Sequence, residues 1–193
     1  NLIGIDPTAL EPMGFALQSG SWLTNTPASE KAAKLQILVG GSTGYEFQDS
    51  RKSYNSPKRY RWQGQTDANG KELPPFVDID KDKMTLTIRT GEESTEKTRS
   101  WQLEVVGVLE PDGAKGYWTQ SGIVLRIQDM KMLQKVYNDM TKTKTEQKSY
   151  DQVYVKVDDL KNVTDVETAI HELGFTNTYS MNQQREEMQQ QVI

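Results

Sequence analysis

The stretch Trp101–Leu109, WQLEVVGVL, with the turn Glu110-Pro-Asp-Gly113 behind it, decides how this chain folds. As a strand it places Trp101, Leu103, Val105 and Leu109 on one face and Val106 and Val108 on the other. A strand apolar on both faces belongs inside a sheet rather than at its edge. Gly107 interrupts the run, which predicts a bulge or the close approach of another backbone. Pro-Asp-Gly then supplies an abrupt, solvated turn.

Working outward towards the N-terminus, Met84, Leu86 and Ile88 alternate with Thr85, Thr87 and Arg89 as a half-buried strand. The charged link Thr90–Ser100 joins it to the central strand as a hairpin with a long tip. Leu35–Val39 is a further short strand running into Gly40-Gly41-Ser42, with a brief helix expected over Thr43–Phe47. Leu2–Ile5 is another strand. Asp6-Pro7 starts a helix with Asp as cap and Pro in the first turn, running to about Met13 and ended by Gly14. Phe15–Leu23 is expected to cross over through a turn at Gly20, and Asn25–Lys34 is a polar connector. Between Gln48 and Asp82 no period is sustained, which points to a functional loop or to irregular strands.

On the C-terminal side, Ile123–Ile127 is a strand, and Met130, Leu133, Val136 or Tyr137, and Met140 recur at helical spacing. After the Lys/Thr-rich linker Thr141–Ser149, Asp151–Val157 alternates cleanly, with Val153, Val155 and Val157 inward. Asn162–Leu173 carries Val163, Val166, Ile170 and Leu173 on one stripe, with the capping-box spacing Thr164…Glu167. Gly174 stops that helix and Phe175–Tyr179 is a return strand, which makes Tyr150–Tyr179 a β-α-β unit. Ser180 caps a last, glutamine-rich helix whose sparse apolar residues predict fast hydrogen exchange. The chain starts inside a strand-like run and stops inside a helical one, as a piece of a longer chain does.

Composition narrows the function classes. The 193 residues carry 23 Lys+Arg against 27 Asp+Glu, so no overall basic excess draws nucleic acid or an anionic membrane. Cysteine is absent, which removes disulfides, thiol catalysis and cysteine-bound zinc. No window approaches the roughly 18 apolar residues of a membrane span. His171 is the only histidine, so a His-paired zinc site is not available; a surface or boundary place on its helix is expected. Asp78-Ile-Asp80-Lys-Asp82 begins like a calcium loop, but Lys83 stands where glycine is required and Arg89 where the bidentate glutamate belongs. It is expected to be a solvated strand entrance. Gly40-Gly41-Ser42-Thr43-Gly44 lacks the lysine and spacing of a phosphate cradle and reads as a strand-to-helix turn. Asn162-Val-Thr164 fits a glycosylation acceptor, yet capping accounts for both polar residues. There is no nucleophile elbow and no carboxylate pair with a reason to be held together. No catalytic residue, cofactor or metal ligand is assigned, and an enzyme is not expected.

One stretch stands apart. Tyr54, Tyr60 and Trp62, interleaved with Arg51, Lys52, Lys58, Arg59 and Arg61, present rings able to stack on a base, a sugar or a partner peptide. Tyr54, Tyr60, Trp62, Arg59 and Arg61 are the candidate partner-binding residues. The bland alternative is an irregular loop anchored by its own aromatics.

Taken in order, Leu2-Ile-Gly-Ile-Asp-Pro7, Gly20-Ser-Trp-Leu23, Ile37-Leu-Val39 with its glycine, Val105-Val-Gly-Val-Leu109, a strand-helix pair, the β-α-β unit and the polar helix form a recognisable series. This resembles the extracytoplasmic, MacB-like periplasmic core domain of MacB/FtsX-type ABC transporter permeases, over almost the whole chain. The resemblance implies a mixed α+β fold. Residues 1–149 would be mostly an inserted β-rich subdomain with a helix near 128–141. Residues 150–193 would be a membrane-proximal β-α-β subdomain and the start of a stalk helix, Ser180–Ile193. The family domain carries a further β-α-β element after its first membrane helix, expected here upstream of Asn1. Its usual connection is shorter than Gln48–Asp82, which suits a lineage-specific recognition loop.

The resemblance further implies a bacterial cell membrane, with this domain on the extracytoplasmic side. A cytoplasmic ATPase would act on it only through the membrane helices. Its own surfaces would meet a second permease copy, an accessory or membrane-fusion protein, or the exported substrate, and no nucleic acid. The competing reading is a free-standing extracellular binding or adhesion module.

Overall fold

The computed structural model describes residues 1–91, 96–144, 150 and 152–180. By contacts the chain divides into two units, Asn1–Glu146 and Gln147–Ile193. The architecture is α+β: a six-stranded mixed sheet among the described residues, with helices.

In the first unit, the strands are β1 (Leu2–Ile5), β2 (Leu17–Gly20), β3 (Lys34–Gly40), β4 (Met84–Thr90), β5 (Lys97–Leu109) and β6 (Ile123–Arg126). Their order is β1-β6-β3-β5-β2, and β4 pairs with β5 as well. From Gln102 onward the long strand β5 is flanked by β3, parallel to it. On its other side β4 runs antiparallel over its first half and β2 over its last residues. The interior place expected for Trp101–Leu109 follows from this.

Gly107 combines both of its expected roles. Register along β3 and β5 shifts by one residue between Ile37↔Val105 and Leu38↔Gly107, leaving Val106 as the extra residue of a bulge. A Cβ on Gly107 would lie 2.6 Å from the Ser21 carbonyl oxygen, so another backbone also passes there. The bulge corrects the expected faces. Because one extra residue inverts the alternation, Val108 rather than Leu109 joins Trp101 and Leu103, and Leu109 lies on the opposite face.

Both faces of the sheet are covered. On one, Leu35, Ile37, Val39, Trp101 and Leu125 pack with Leu133 and Val136 of helix α3 (Ile127–Thr141). Val136 is the buried member of its pair; Tyr137 is exposed. On the other, Leu38, Leu109 and Val124 pack with Leu10 of helix α1 (Pro7–Leu10), Phe15 and Leu23. Trp118 of helix α2 (Trp118–Ser121) joins them, a turn of helix that periodicity did not reveal. Asp6 caps α1 by accepting from the Thr8 amide at 3.0 Å, and Gly14 leaves at φ +76°.

Gly20 does not make the expected turn. It ends β2 against β5, at φ +83°, where a Cβ would come within 2.3 Å of the Val106 carbonyl oxygen. A short irregular strand on a bulged partner leaves no clean alternation to detect.

The turn after β5 is tied back to α1. Asp112 accepts from the Ala114 amide and from Lys115 Nζ, which also donates to the Gly14 carbonyl at 2.8 Å. The Lys115 hydrogen bond, against the opposing effect of burial, holds the Asp112 carboxyl below its ordinary range. A carboxyl depressed on folding contributes stability above its unfolded pKa and loses it as pH falls through the folded value. Lys115→Met is therefore expected to return the Asp112 titration towards that of a free carboxyl and to shrink this acid-dependent loss. A carboxyl-carbon NMR titration checks it; an unchanged midpoint would refute it.

The second unit departs from expectation. Helix α4 (Val163–Glu172) forms, preceded by a 3-10 turn Leu160–Asn162 whose start is capped by Asp159 accepting from the Lys161 amide. The capping-box spacing Thr164…Glu167 is not used for this, because the preceding turn places Asn162 at the cap position without a side-chain bond. Neither 152–157 nor 175–180 forms a strand among the described residues, so of the expected β-α-β unit only the helix is present there. Alternation supplies one apolar face, but a strand also requires a neighbour for its backbone groups. No residue of α4 is buried. The Ser180–Ile193 stalk helix falls, beyond its first residue, outside the described residues.

Candidate functional site

The segment between the 3-10 turn Thr43–Glu46 and β4 is irregular but internally bonded. The Asp49 amide donates to the Arg59 carbonyl at 3.0 Å, closing residues 49–59 into a loop that contains a 3-10 turn at Pro57–Arg59. Next to it, Leu73 N donates to Gln65 O at 2.7 Å and Asp67 N to Lys71 O at 2.8 Å, a small hairpin turning at Gly70. The Asp67 carboxylate holds that turn by accepting from the amides of Asn69 and Lys71. Gly44 lets the segment pack on the sheet domain, since a Cβ there would lie 2.2 Å from the Val77 carbonyl oxygen.

The five candidate residues divide into two kinds. Arg59 donates to Gln48 Oε1 at 3.0 Å and to the Lys52 carbonyl at 2.8 Å, with its guanidinium 5.8 Å from the Tyr54 ring centre. Arg61 donates to the Pro74 carbonyl at 2.7 Å and lies 4.2 Å over the Phe76 ring. Both arginines are thus spent on shaping the loop. Tyr60 is half-buried, its hydroxyl donating to the Tyr54 carbonyl at 3.3 Å. Tyr54 and Trp62 are 76% and 58% exposed, so their rings are available to an incoming group.

Beside these residues is an open cavity of about 370 Å³, lined by Lys52, Lys58, Tyr60, Gln65 and Phe76 among others. Sequence reasoning named the aromatic stretch but not Gln65 or Phe76, which come from the hairpin and from the irregular segment between it and β4. Only their bonds and packing bring them to the cavity, and no local pattern marks them. Asp49 also lines it. Its carboxylate accepts from Arg51 Nε at 2.9 Å and NH2 at 3.2 Å, and the Arg51 hydrogen bond holds it below the ordinary carboxyl range.

The other motifs occupy ordinary places. Asp78 accepts from the Asp80 amide and Lys81 Nζ, and Asp82 from the Asp78 amide, so these carboxylates bind their own turn. Among the described residues no three His, Cys, Asp or Glu side chains are grouped to hold a metal ion. His171 is exposed, with Nε2 2.7 Å from Thr178 Oγ1. No helix among the described residues is long and apolar enough to cross a membrane. Comparisons of this chain with protein-family models, with curated proteins and with solved structures find no match.

Proposed function

We propose that this chain is the extracytoplasmic domain of a MacB/FtsX-type bacterial ABC transporter permease. It has no catalytic role of its own: ATP-driven movement of membrane helices reaches it mechanically, and it presents surfaces to substrate or partner proteins outside the cell membrane. The observation that carries the reading is the set of exposed apolar side chains among the described residues of the second unit. Val153, Val155, Leu173, Phe175 and Tyr179 each expose more than half of their surface. Exposed large apolar side chains at five positions of one small unit call for a covering element. An inserted β-rich subdomain with its own two-sided core, joined to one half of a membrane-proximal subdomain, accounts for both units together.

Exposed Tyr54 and Trp62 favour a second reading, a free-standing extracellular binding module. Topology separates the two. The chain contains no cysteine, so a Tyr54→Cys substitution in the full protein adds one exposed thiol at a known place. Labelling of intact cells by a membrane-impermeant maleimide, above that of the unsubstituted protein, is expected. The labelled protein should remain with the membrane after alkaline or high-salt washing. Labelling only after lysis would sink both readings, and release by washing would leave the binding module.

A further inference from the structure

The loop around the cavity carries the opposite charge to the rest of the molecule. From Gln48 to Trp62 five cationic side chains face a single carboxylate, a local excess of four positive charges in a chain of net charge -4. That carboxylate, Asp49, is already neutralised by Arg51. Arg59 and Arg61 donate to carbonyl groups and an amide, which satisfies their hydrogen bonds without cancelling their charge. Lys52 and Lys58 line the cavity, and neither forms an ion pair with a carboxylate among the described residues. The walls between them are apolar and aromatic, Tyr60 and Phe76. Gln65 adds a further feature: its Oε1 is sealed from water and has no hydrogen-bond partner. An orphaned acceptor of this kind gains from any N–H brought to it.

We infer that this cavity is a docking site for an acidic peptide segment, with carboxylates on Lys52 and Lys58, an apolar side chain against Tyr60 and Phe76, and a peptide N–H on Gln65. A peptide offers all three chemistries at the scale of the cavity, which is at the small end of the roughly 300–1,000 Å³ typical of ligand sites. An inorganic polyanion would satisfy the lysines and leave the aromatic walls and the glutamine without partners. The inference concerns this surface alone and does not depend on the permease reading.

The test uses the described chain and two probes, acetyl-Asp-Phe-Asp-Phe-Asp-amide and its counterpart with asparagine in place of aspartate. Binding is followed by calorimetry and by amide NMR shifts. The acidic probe is expected to bind at least about tenfold more tightly than the neutral one, with shifts centred on 49–76, and to weaken as salt rises. Lys52→Glu with Lys58→Glu should weaken it by at least about tenfold, because like charges then face each other. Lys31→Glu with Lys97→Glu, an equal change of net charge elsewhere, should change it less than about twofold. Both lysines of the site are exposed, and Lys52→Gln with Lys58→Gln provides a milder variant should the reversal disturb folding. Gln65→Leu should weaken binding while leaving its salt dependence unchanged. Equal binding of the two probes, indifference to both lysine variants, or no binding at millimolar probe would overturn the inference. Tighter binding of polyphosphate or of a single-stranded oligonucleotide at these residues would overturn it too.

Discussion

Replacing Asp129 by alanine is expected to destabilise the sheet domain by roughly 3–5 kcal/mol, the cost of leaving one member of a buried ion pair without the other. The Arg126 and Asp129 side chains are 3% and 0% exposed, and Arg126 NH1 donates to Asp129 Oδ2 at 2.7 Å. The remaining bonds of the pair reach a distant segment. Arg126 donates to the Thr24 carbonyl and hydroxyl and to Gln36 Oε1, while Asp129 Oδ1 accepts from the Ala28 amide at 2.7 Å. The pair thus fastens the polar connector after β2 to the junction of β6 and α3. Its loss would leave a buried guanidinium unpaired and the Ala28 amide without its acceptor. Chemical denaturation checks the prediction through the midpoint. The double substitution Arg126→Met with Asp129→Leu should cost less than the alanine variant, because no charge is left stranded. A shift below about 1 kcal/mol for Asp129→Ala, the value of an exposed pair, would show that the site is wet.

The second large effect concerns Trp101. It is 1% exposed, stands opposite Leu86 on the neighbouring strand and belongs to the core beneath α3. Truncation to alanine is expected to cost about 3–5 kcal/mol, the lost burial plus the void left in the core beneath α3. Phenylalanine should cost far less. The indole Nε1 is buried without a partner, so Trp101→Phe removes an unsatisfied donor that costs about 1–3 kcal/mol in the native state. The gain offsets much of the lost ring volume. Comparable losses for the two variants, measured by denaturant unfolding, would mean that the indole N–H is satisfied after all.

These two sites also show how unevenly the fold was legible. Trp101 was recognisable because an apolar run with alternating neighbours is a local signal. Asp129 was not: in the first turn of α3, three residues after Arg126 at the end of β6, it has the spacing of an ordinary solvated pair. Its burial depends on the connector from Thr24 to Ala28, about a hundred residues away in sequence. The candidate site has the same character. Its aromatic and basic residues were visible as a cluster in the chain, whereas their division into loop-forming arginines and exposed rings depends on carbonyls supplied by Lys52 and Pro74.

The sequence by itself determined the positions of β1, β3, β4 and β6, of β5 from Trp101 onward, the capped start of α1 and the buried stripe of α3. Each of these rests on periodicity or on a cap read within a few residues. Lys97–Ser100, expected in the charged link, instead extend β5. Only the tertiary structure decided the mixed strand order, the pairing of β2, and the bulge at Val106 that exchanges the faces of Val108 and Leu109. It also decided that 152–157 and 175–180 do not form strands among the described residues. Alternation specifies that a segment has an apolar face; hydrogen-bonding partners and a one-residue shift in register belong to two segments at once, and neither segment encodes them alone.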